Sequence, residues 1–380
     1  MTHYPIRIYV LNAGYTAFSL LAEVDDYESA YFTRSFVDVG DFQITINFNK
    51  SNAKYFSRGR IIQFGTDTRK VGYITQVAPM VDQGGKGGMA LSVQGFELKY
   101  LFSKRIVYPQ GGSANFYLSG TAEDVLKQAV TAQAGSGAAT NRKINLLNVV
   151  VSSARGASCK MSARYTNLQD EMRAVSLATF LGYQLALNLS TGKFDFDVIP
   201  GIDRRASQSS NGRAIFSTDY ETIQSLALTD SEANYWNVAI VGGLGAGTAR
   251  TITQTYLDAS EPADLYRKEL FIDARQYANG DLTAKGQGDL GKAQTTMFLD
   301  GKALAFSTLL LGRDYDLGDI CTVQGFGQSV DTRLTAIREN VAPASYSIDL
   351  TWGQPYPTFP LLIDQQYSTT INSLNASETP

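Results

Sequence analysis

The feature that most constrains the fold of this chain is a pattern of strands and glycines that occurs twice. Apolar and polar residues alternate between Gly59 and Gly95, and they do so again between Gly318 and Gly353. The glycines are 36 residues apart in the first copy (95 − 59) and 35 in the second (353 − 318). Such an internal repeat indicates a duplicated structural unit. It predicts two similar small β-barrels, although alternation with glycines can also arise by chance in unrelated strands.

The remaining pattern divides the chain into four regions. Strand-like alternation fills both regions that hold the repeat, whereas helical spacing occurs between them. The last region contains four prolines, which exclude a regular helix or a central strand. We therefore expect a mainly β fold with a first β-barrel domain at residues 1–110, an inserted α+β domain at 111–212, a second β-barrel domain with a helical insertion at 213–354 and a C-terminal extended arm at 355–380.

Two helices of the inserted domain have recognisable start signals. Thr121 is followed three residues later by Asp124, which is the spacing of a capping box. Asn167 is followed by Asp170 in the first turn, where the helix dipole favours carboxylates. We expect the first helix to begin after Thr121 and the second to run from Asn167 to a stop at Gly182.

The chain contains a single histidine, His3, and this limits its chemistry. A Ser-His-Asp triad, a Cys-His pair and a multi-histidine zinc site all need histidines that the chain lacks. Cys159 and Cys321 lie far apart in sequence, so we expect two reduced thiols rather than a disulfide. The net charge of −3 argues against a nucleic-acid binder, and no run of about 18 apolar residues predicts a membrane span.

Charged residues are unusually scarce. They make up 18% of the chain, below the roughly 25% that is typical of soluble domains. Tyrosine and phenylalanine are plentiful, at 21 and 19 residues, and both suit strands and interface cores. The composition therefore indicates a protein whose surface packs against partners.

Two glycine-rich segments resemble nucleotide-binding loops, but each lacks a required residue. Residues 238–247 resemble a strand that enters a dinucleotide loop, yet the third glycine of the motif is replaced by Thr248, and a strand-like pattern follows. Residues 286–293 resemble a phosphate-binding loop, yet Ala293 stands where a hydroxyl must bind magnesium. We expect a glycine-rich hairpin at the first segment and a helix near 281–296 at the second.

Two acidic patterns resemble functional sites. Residues 314–319 begin like a calcium loop, but the glycine is one position early and Gly325 replaces the bidentate glutamate, so a polar turn is favoured. Asp195 and Asp197 point to the same side of a strand, and paired carboxylates can cleave glycosides. The ordinary interpretation is a half-exposed strand. We expect no catalytic residue, cofactor or metal.

Several segments together resemble the siphophage tail hub family, also described as tail-associated, baseplate hub or Siphovirus Gp37-like tail proteins. The order and spacing of the matching segments extend over residues 5–354. The segments are VGDFQI (39–44), GRII (59–62), GYI (72–74), VQGFEL (93–98), GIDR (201–204), NVAIVG (237–242) and DYDLGD (314–319).

The resemblance implies a phage baseplate-hub-like fold and a structural role without enzymatic activity. It implies a homotrimer at the tail tip of the virion, made in the host cytoplasm, that closes the tail tube and opens for DNA ejection. The implied partners are a six-fold ring of the distal tail protein or tail tube protein, other tail-tip or receptor-binding proteins and the tape measure protein. The alternative function is host-wall carbohydrate binding or glycoside cleavage.

Eight residues are candidates for structural turns or assembly contacts. We expect Gly59 and Gly318 at tight turns or bulges before equivalent strands. The arm should dock on another subunit through its apolar residues. The candidates are Gly59, Gly95, Gly318, Gly353, Asp314, Asp319, Phe359 and Leu362.

Overall fold

The computed structural model describes residues 4–81, 89–109, 111–113, 115–233, 235–257, 260–275, 282–293, 296–304, 307–343 and 345–353. Residues 84–88, whose glycine-rich sequence predicts a flexible hairpin tip, lie outside the described residues. The predicted arm at 355–380, with Phe359 and Leu362, also lies outside them.

The described part of the chain is mainly β, with 21 strands and three α-helices. The α-helices are α1 (Ala122–Gln133), α2 (Leu168–Thr179) and α3 (Leu282–Lys292). The strands are β1 (Ile6–Leu11), β2 (Phe18–Val24), β3 (Ser29–Ser35), β4 (Asp41–Asn47), β5 (Ile61–Phe64), β6 (Val71–Val81), β7 (Met89–Glu97), β8 (Phe116–Thr121), β9 (Leu147–Val149), β10 (Ser158–Ala163), β11 (Gly182–Asn188), β12 (Lys193–Ile199), β13 (Ile215–Ser217), β14 (Ile223–Ser231), β15 (Val238–Gly242), β16 (Ile252–Tyr256), β17 (Glu269–Asp273), β18 (Thr296–Ala303), β19 (Ile320–Gly325), β20 (Gln328–Ala342) and β21 (Ser345–Gly353).

Local sequence signals explain where the two helices of the inserted region begin. The Thr121 hydroxyl accepts a hydrogen bond from the backbone N–H of Asp124 (3.3 Å), and the Asn167 side chain caps α2 in the same way. The predicted stop at Gly182 is wrong. The helix ends at Thr179, Phe180 adopts the left-handed conformation (φ 57°), and Gly182 already belongs to β11. Gly182 is needed for another reason, because a Cβ there would lie 2.3 Å from the Phe36 ring.

Most strands belong to one large sheet that runs through both repeat regions. Its order is β14-β18-β21-β20-β3-β4-β7-β6-β5-β1-β2, with β19 on β20 and β13 on β19. The antiparallel pair β3·β20 joins the two regions. The order β3-β4-β7-β6-β5 in the first region corresponds, strand for strand, to β14-β18-β21-β20-β19 in the second. One difference is that β1 pairs with β5 antiparallel, whereas β13 pairs with β19 parallel.

The sheet of the first region curls around its own core. Side chains from seven of its strands meet in one buried cluster, which includes Ile6, Val24, Phe32, Ile44, Ile62, Ile74 and Val93. Apolar residues alternate with polar ones over residues 42–48, which predicts a strand with one buried face. This prediction is confirmed for β4, since Phe42, Ile44 and Ile46 are buried. The Phe42 ring lies against Gly95, where a Cβ would be 2.5 Å from the ring.

In the second region the large aromatic residue lies on β21, the strand that corresponds to β7, rather than on β18, which corresponds to β4. Trp352 of β21 is fully buried and lies against Gly301 of β18, where a Cβ would be 2.8 Å from the indole. The Phe216 ring packs against both Trp352 (4.9 Å between centroids) and Tyr315 (5.0 Å). The core of this region is therefore built on aromatic contacts.

The inserted region shares a core with the first repeat. Helices α1 and α2 pack with β8, β10, β11 and β12, and the same buried cluster includes Tyr9, Ile61 and Val71. The α+β character predicted for this region matches its elements. Its two small sheets are β10-β8 and β11-β12-β9.

The described residues form two compact units, residues 4–226 with Asp300–Trp352 and Ala227–Leu299 with Gly353. The smaller unit contains the sheet β16-β15-β17 and helix α3, which packs on it. A Cβ on Gly286 of α3 would lie 2.4 Å from the Thr255 side chain, so this glycine allows the close approach of helix and sheet. Among the described residues, no helix is long and apolar enough to cross a membrane.

Candidate assembly surfaces and buried charge networks

The two repeat glycines occupy equivalent turns. Gly59 has a φ of +85°, and its N–H donates to the carbonyl of Ile74 (2.9 Å). Gly318 has a φ of +91°, and its N–H donates to the carbonyl of Leu334 (2.8 Å). A positive φ of this size favours glycine. Both glycines therefore stand at turns where side chains are poorly tolerated.

Each turn is followed by the same bulge. The register of β6 against β7 shifts at Thr75, and that of β20 against β21 shifts at Thr335. The Thr75 hydroxyl donates to the carbonyl of Gln94 (3.4 Å), and the Thr335 hydroxyl donates to that of Thr351 (3.1 Å). A shared bulge with a shared side-chain contact supports the interpretation of the repeat as a duplication.

The other two candidate glycines have different surroundings. Gly95 lies in β7, and a Cβ there would be 2.1 Å from the carbonyl oxygen of Tyr73. Gly353 ends β21 with a φ of +84°. Both positions thus require glycine, the first for close strand approach and the second for its backbone conformation.

The two copies differ in what lies along the bulged strand. In the second copy, β3 pairs with β20 from Ala336 to Val341, and the Phe36 N–H donates to the carbonyl of Thr335 (2.8 Å). The Phe36 ring covers Gly318. In the first copy, β6 pairs with β5 only as far as Tyr73, and in the described chain its later residues have β7 as their only strand neighbour.

A cleft of about 860 Å³ lies beside this open edge of β6. Its lining includes Arg58, Gly59, Thr75 and the side chains of Tyr73, Tyr100 and Lys104. The Lys104 ammonium lies 3.9 Å from the Tyr73 ring centroid and 5.0 Å from that of Tyr100. No sequence motif predicted this cleft. The spacing of four residues between Tyr100 and Lys104 was a signal that could have indicated it.

The calcium-like loop is a network of aspartates and arginines. Asp314 pairs with Arg313, and Asp319 accepts hydrogen bonds from Arg204 (2.6 Å) and from the Ile202 N–H (2.8 Å). The Arg313 guanidinium lowers the pKa of Asp314. Within the described ranges, no group of three or more potential metal ligands occurs. The polar turn favoured by the sequence is what the loop forms.

Asp316 of the same loop ties the two repeats together. It pairs with Arg34 of β3 (2.7 Å) and with Arg69, which also binds Asp67. Burial raises the pKa of Asp316, but the two guanidinium groups outweigh burial and lower it. Burial also acts on Asp67, yet the hydrogen bonds from Arg69 lower its pKa to about 2.

A second buried pair lies between the repeats. The Lys70 ammonium lies 2.6 Å from a carboxylate oxygen of Glu339 on β20, and both side chains are less than a tenth exposed. The Tyr346 hydroxyl donates to the same carboxylate (2.8 Å). Paired buried charges of this kind are costly to break singly, so they fix the register of the two regions.

The paired aspartates of β12 are not free carboxylates. Asp195 accepts hydrogen bonds from Asn148 (2.8 Å) and Asn188 (2.7 Å). Asp197 pairs with Lys127 (2.8 Å) and Arg155 (3.3 Å). Both belong to a strand that alternates buried and half-buried residues, as the ordinary interpretation predicted.

The fully buried Glu123 organises the cations around Asp197. It pairs with Arg155 (2.8 Å) and with Lys127 (2.7 Å). The hydrogen bond from Arg155 is the main cause that holds the pKa of Glu123 far below its usual range. A carboxylate held this strongly ionised is unsuited to act as a general acid at neutral pH.

The two nucleotide-like segments have structural explanations. Residues 238–247 contain β15, which forms an antiparallel hairpin with β16, as the sequence predicted. Residues 286–293 lie on α3 and its C-terminal end, where Gly286 serves helix packing. The cysteines predicted to be reduced are free thiols, and burial raises the pKa of Cys321 well above its usual value.

Comparison with protein families gives a match to the model described as Siphovirus ReqiPepy6 Gp37-like protein, over residues 6–354. Comparison with curated protein sequences gives no match. The fold is similar to the 43 kDa tail protein of prophage MuSo2 from Shewanella oneidensis (TM-score 0.54, 13% identity, 92% of this chain and 98% of that chain). It is also similar to the tail protein from Neisseria meningitidis MC58 (TM-score 0.52, 13% identity, 93% and 97%).

Proposed function

The chain belongs to the Siphovirus ReqiPepy6 Gp37-like protein family and has the fold of phage tail proteins, and from this premise we propose that it is the trimeric hub of the tail tip. In this role, three copies close the tail tube and open for DNA ejection. The hub links a six-fold ring of distal tail or tube protein to three-fold tip components. The same premise confirms the family resemblance read from the sequence.

The β3·β20 junction is the observation that carries the proposal. It joins two strand sets of the same order within one chain, with matching turns at Gly59 and Gly318. Closed rings need repeated contacts between like surfaces. Three chains with two similar units each supply six units, which suits a six-fold partner, while the inserted parts follow three-fold symmetry.

The proposed role is structural. The carboxylates that could cleave glycosides are held by amides or cations, and the motifs for nucleotides and calcium form a hairpin, a helix and an arginine-linked turn. We place the protein in the virion after synthesis in the host cytoplasm. Its proposed partners are the distal tail or tube ring, receptor-binding or other tip proteins and the tape measure protein.

Carbohydrate binding is the second candidate, and the aromatic cleft favours it. Tyr73 and Tyr100 present rings beside Lys104, and aromatic faces can stack on sugars. Incubation with host wall material tests this candidate, because binding or released sugar would support it.

The hub itself is tested by the mass of the purified full chain. Multi-angle light scattering should give three times the 41.4 kDa of one chain, and electron microscopy of the trimer should give a ring with six similar densities. A monomer or dimer at every concentration would refute the hub. Deletion of residues 355–380, proposed as the docking arm, should leave the fold intact and weaken assembly.

A further inference from the structure

The open edge of β6 has a closed counterpart in the same chain. On β20, the segment after the bulge is covered by β3, and Phe36, the residue after β3, covers the turn glycine. On β6, the equivalent segment runs from Gln76 to Val81 and has no strand neighbour beyond β7 in the described chain. Met80 of this segment is 48% exposed. The unpaired N–H and C=O groups of such an edge can pair with a strand of another chain.

The strand that corresponds to β3 is β14. Strand β3 pairs with β4 in the first region, and β14 pairs with β18, the equivalent of β4, in the second. In the described structure, β14 is the end of the large sheet, and most of its side chains are exposed, including Leu228 at 46%. The chain thus has an uncovered strand edge and an uncovered end strand at equivalent places.

The charges at these two places are opposite. The cleft beside β6 carries Arg58 and Lys104, and neither has an acidic partner within 4 Å in the described parts of the chain. The C-terminal end of β14 carries Asp230, which is exposed, and Glu232 follows it. Glu232 pairs with Lys268, yet its side chain remains 72% exposed. Opposite charges at two docking surfaces set register and partner choice.

We infer that β14 of one copy docks along the β6 edge of a second copy, with Asp230 and Glu232 in the cleft that holds Arg58 and Lys104. The junction repeats β3·β20 between chains. In this junction, the residues that follow β14 occupy the position that Phe36 occupies beside Gly318. Their backbone N–H then donates to the carbonyl of Thr75, as the Phe36 N–H donates to the carbonyl of Thr335. The ladder lacks one donor at Pro79, a residue suited to an edge. This inference rests on the proposed trimer.

Charge exchange tests the inference in the full-length protein. Lys104→Glu and Asp230→Lys should each raise the dissociation constant of the trimer roughly tenfold or more, because like charges then meet at all three junctions. The double variant should restore it, since every junction regains an opposite pair. Lys160→Glu, an exposed change on β10, is the matched control and should leave the mass unchanged. Circular dichroism should give the wild-type spectrum for all variants.

The outcomes separate this inference from the hub proposal. A stable wild-type trimer that neither single change weakens, or that the double change fails to restore, would overturn the docking and leave the hub intact. A wild-type protein that stays monomeric would overturn both. Quenching of tyrosine fluorescence by wall saccharides, at unchanged mass and lost in Lys104→Glu, would assign the cleft to a carbohydrate instead.

Discussion

Replacing each repeat glycine by alanine should separate two contributions to the free energy of unfolding, namely backbone strain and a steric clash. Gly59 and Gly318 have nearly the same backbone, with φ of +85° and +91°. A Cβ on Gly59 would meet only the Tyr73 hydroxyl at 3.6 Å, whereas a Cβ on Gly318 would lie 2.5 Å from a buried carbon of Phe36. The first substitution therefore adds backbone strain alone, and the second adds strain and a clash.

The magnitudes follow from these contacts. Backbone strain at such a position costs about 1–3 kcal/mol, so Gly59→Ala should lower the free energy of unfolding by that amount. Overpacking a buried ring costs about 1–3 kcal/mol more, so Gly318→Ala should lower it by about 2–6 kcal/mol. Removing the ring with Phe36→Ala should bring the cost of Gly318→Ala down towards that of Gly59→Ala, because the closest remaining neighbour of the new Cβ is then the Ile199 side chain at 3.3 Å.

Urea unfolding followed by tryptophan fluorescence measures all five proteins, since Trp352 is fully buried in the second region. The cycle needs the wild type, Gly318→Ala, Phe36→Ala and their combination, with Gly59→Ala as the matched backbone control. Equal costs for the two glycine substitutions would refute the assigned contact with Phe36. An undiminished cost in the Phe36→Ala background would refute it as well.

Three further predictions concern the buried charges and the smaller unit. The pKa of Asp67 is about 2 in the folded protein and near 3.9 in the unfolded chain. The ionised carboxylate therefore contributes about 2 kcal/mol to the free energy of unfolding above pH 4, and this contribution is lost as the pH falls to about 2. When the free energy of unfolding is measured against pH, Asp67→Asn should lack this part of the acid-induced decrease. Glu123→Gln should cost about 3 kcal/mol in urea unfolding because it removes the buried carboxylate from two cations, whereas Asp195→Asn should cost less than about 1 kcal/mol. Gly286→Ala should lower the melting temperature despite a gain in helix propensity, because its Cβ meets the sheet, whereas Gly288→Ala, with nothing within 4 Å, should raise stability by up to about 1 kcal/mol.

Features set by neighbouring residues could be predicted from the sequence. The caps at Thr121 and Asn167 and the alternation of β4 depend on contacts within a few residues, and all three predictions are confirmed. The stop at Gly182 was wrong because a left-handed Phe180 ends the helix, a conformation that sequence rules assign to glycine.

Pairings between distant residues could not be predicted. Strands β3 and β20 are about three hundred residues apart, and nothing in either strand identifies the other. The cleft beside β6 was missed for the same reason, since it combines a turn near Gly59 with Tyr73 and Lys104. The turn glycines were found because a repeated pattern marks them even when their contacts are unknown.

In each repeat region a large aromatic ring packs on a glycine of the neighbouring strand, Phe42 on Gly95 in the first and Trp352 on Gly301 in the second. This pairing limits which substitutions each region can accept. In both regions, an aromatic ring on one of two neighbouring core strands is matched by a glycine on the other, but the aromatic side is reversed. A single substitution toward the other arrangement would create either an overfilled or an empty site, so such changes are mutually dependent. Selection would then act on the pair rather than on either position. The two copies therefore share their strand order and their bulges, whereas the residues at these paired sites differ between them.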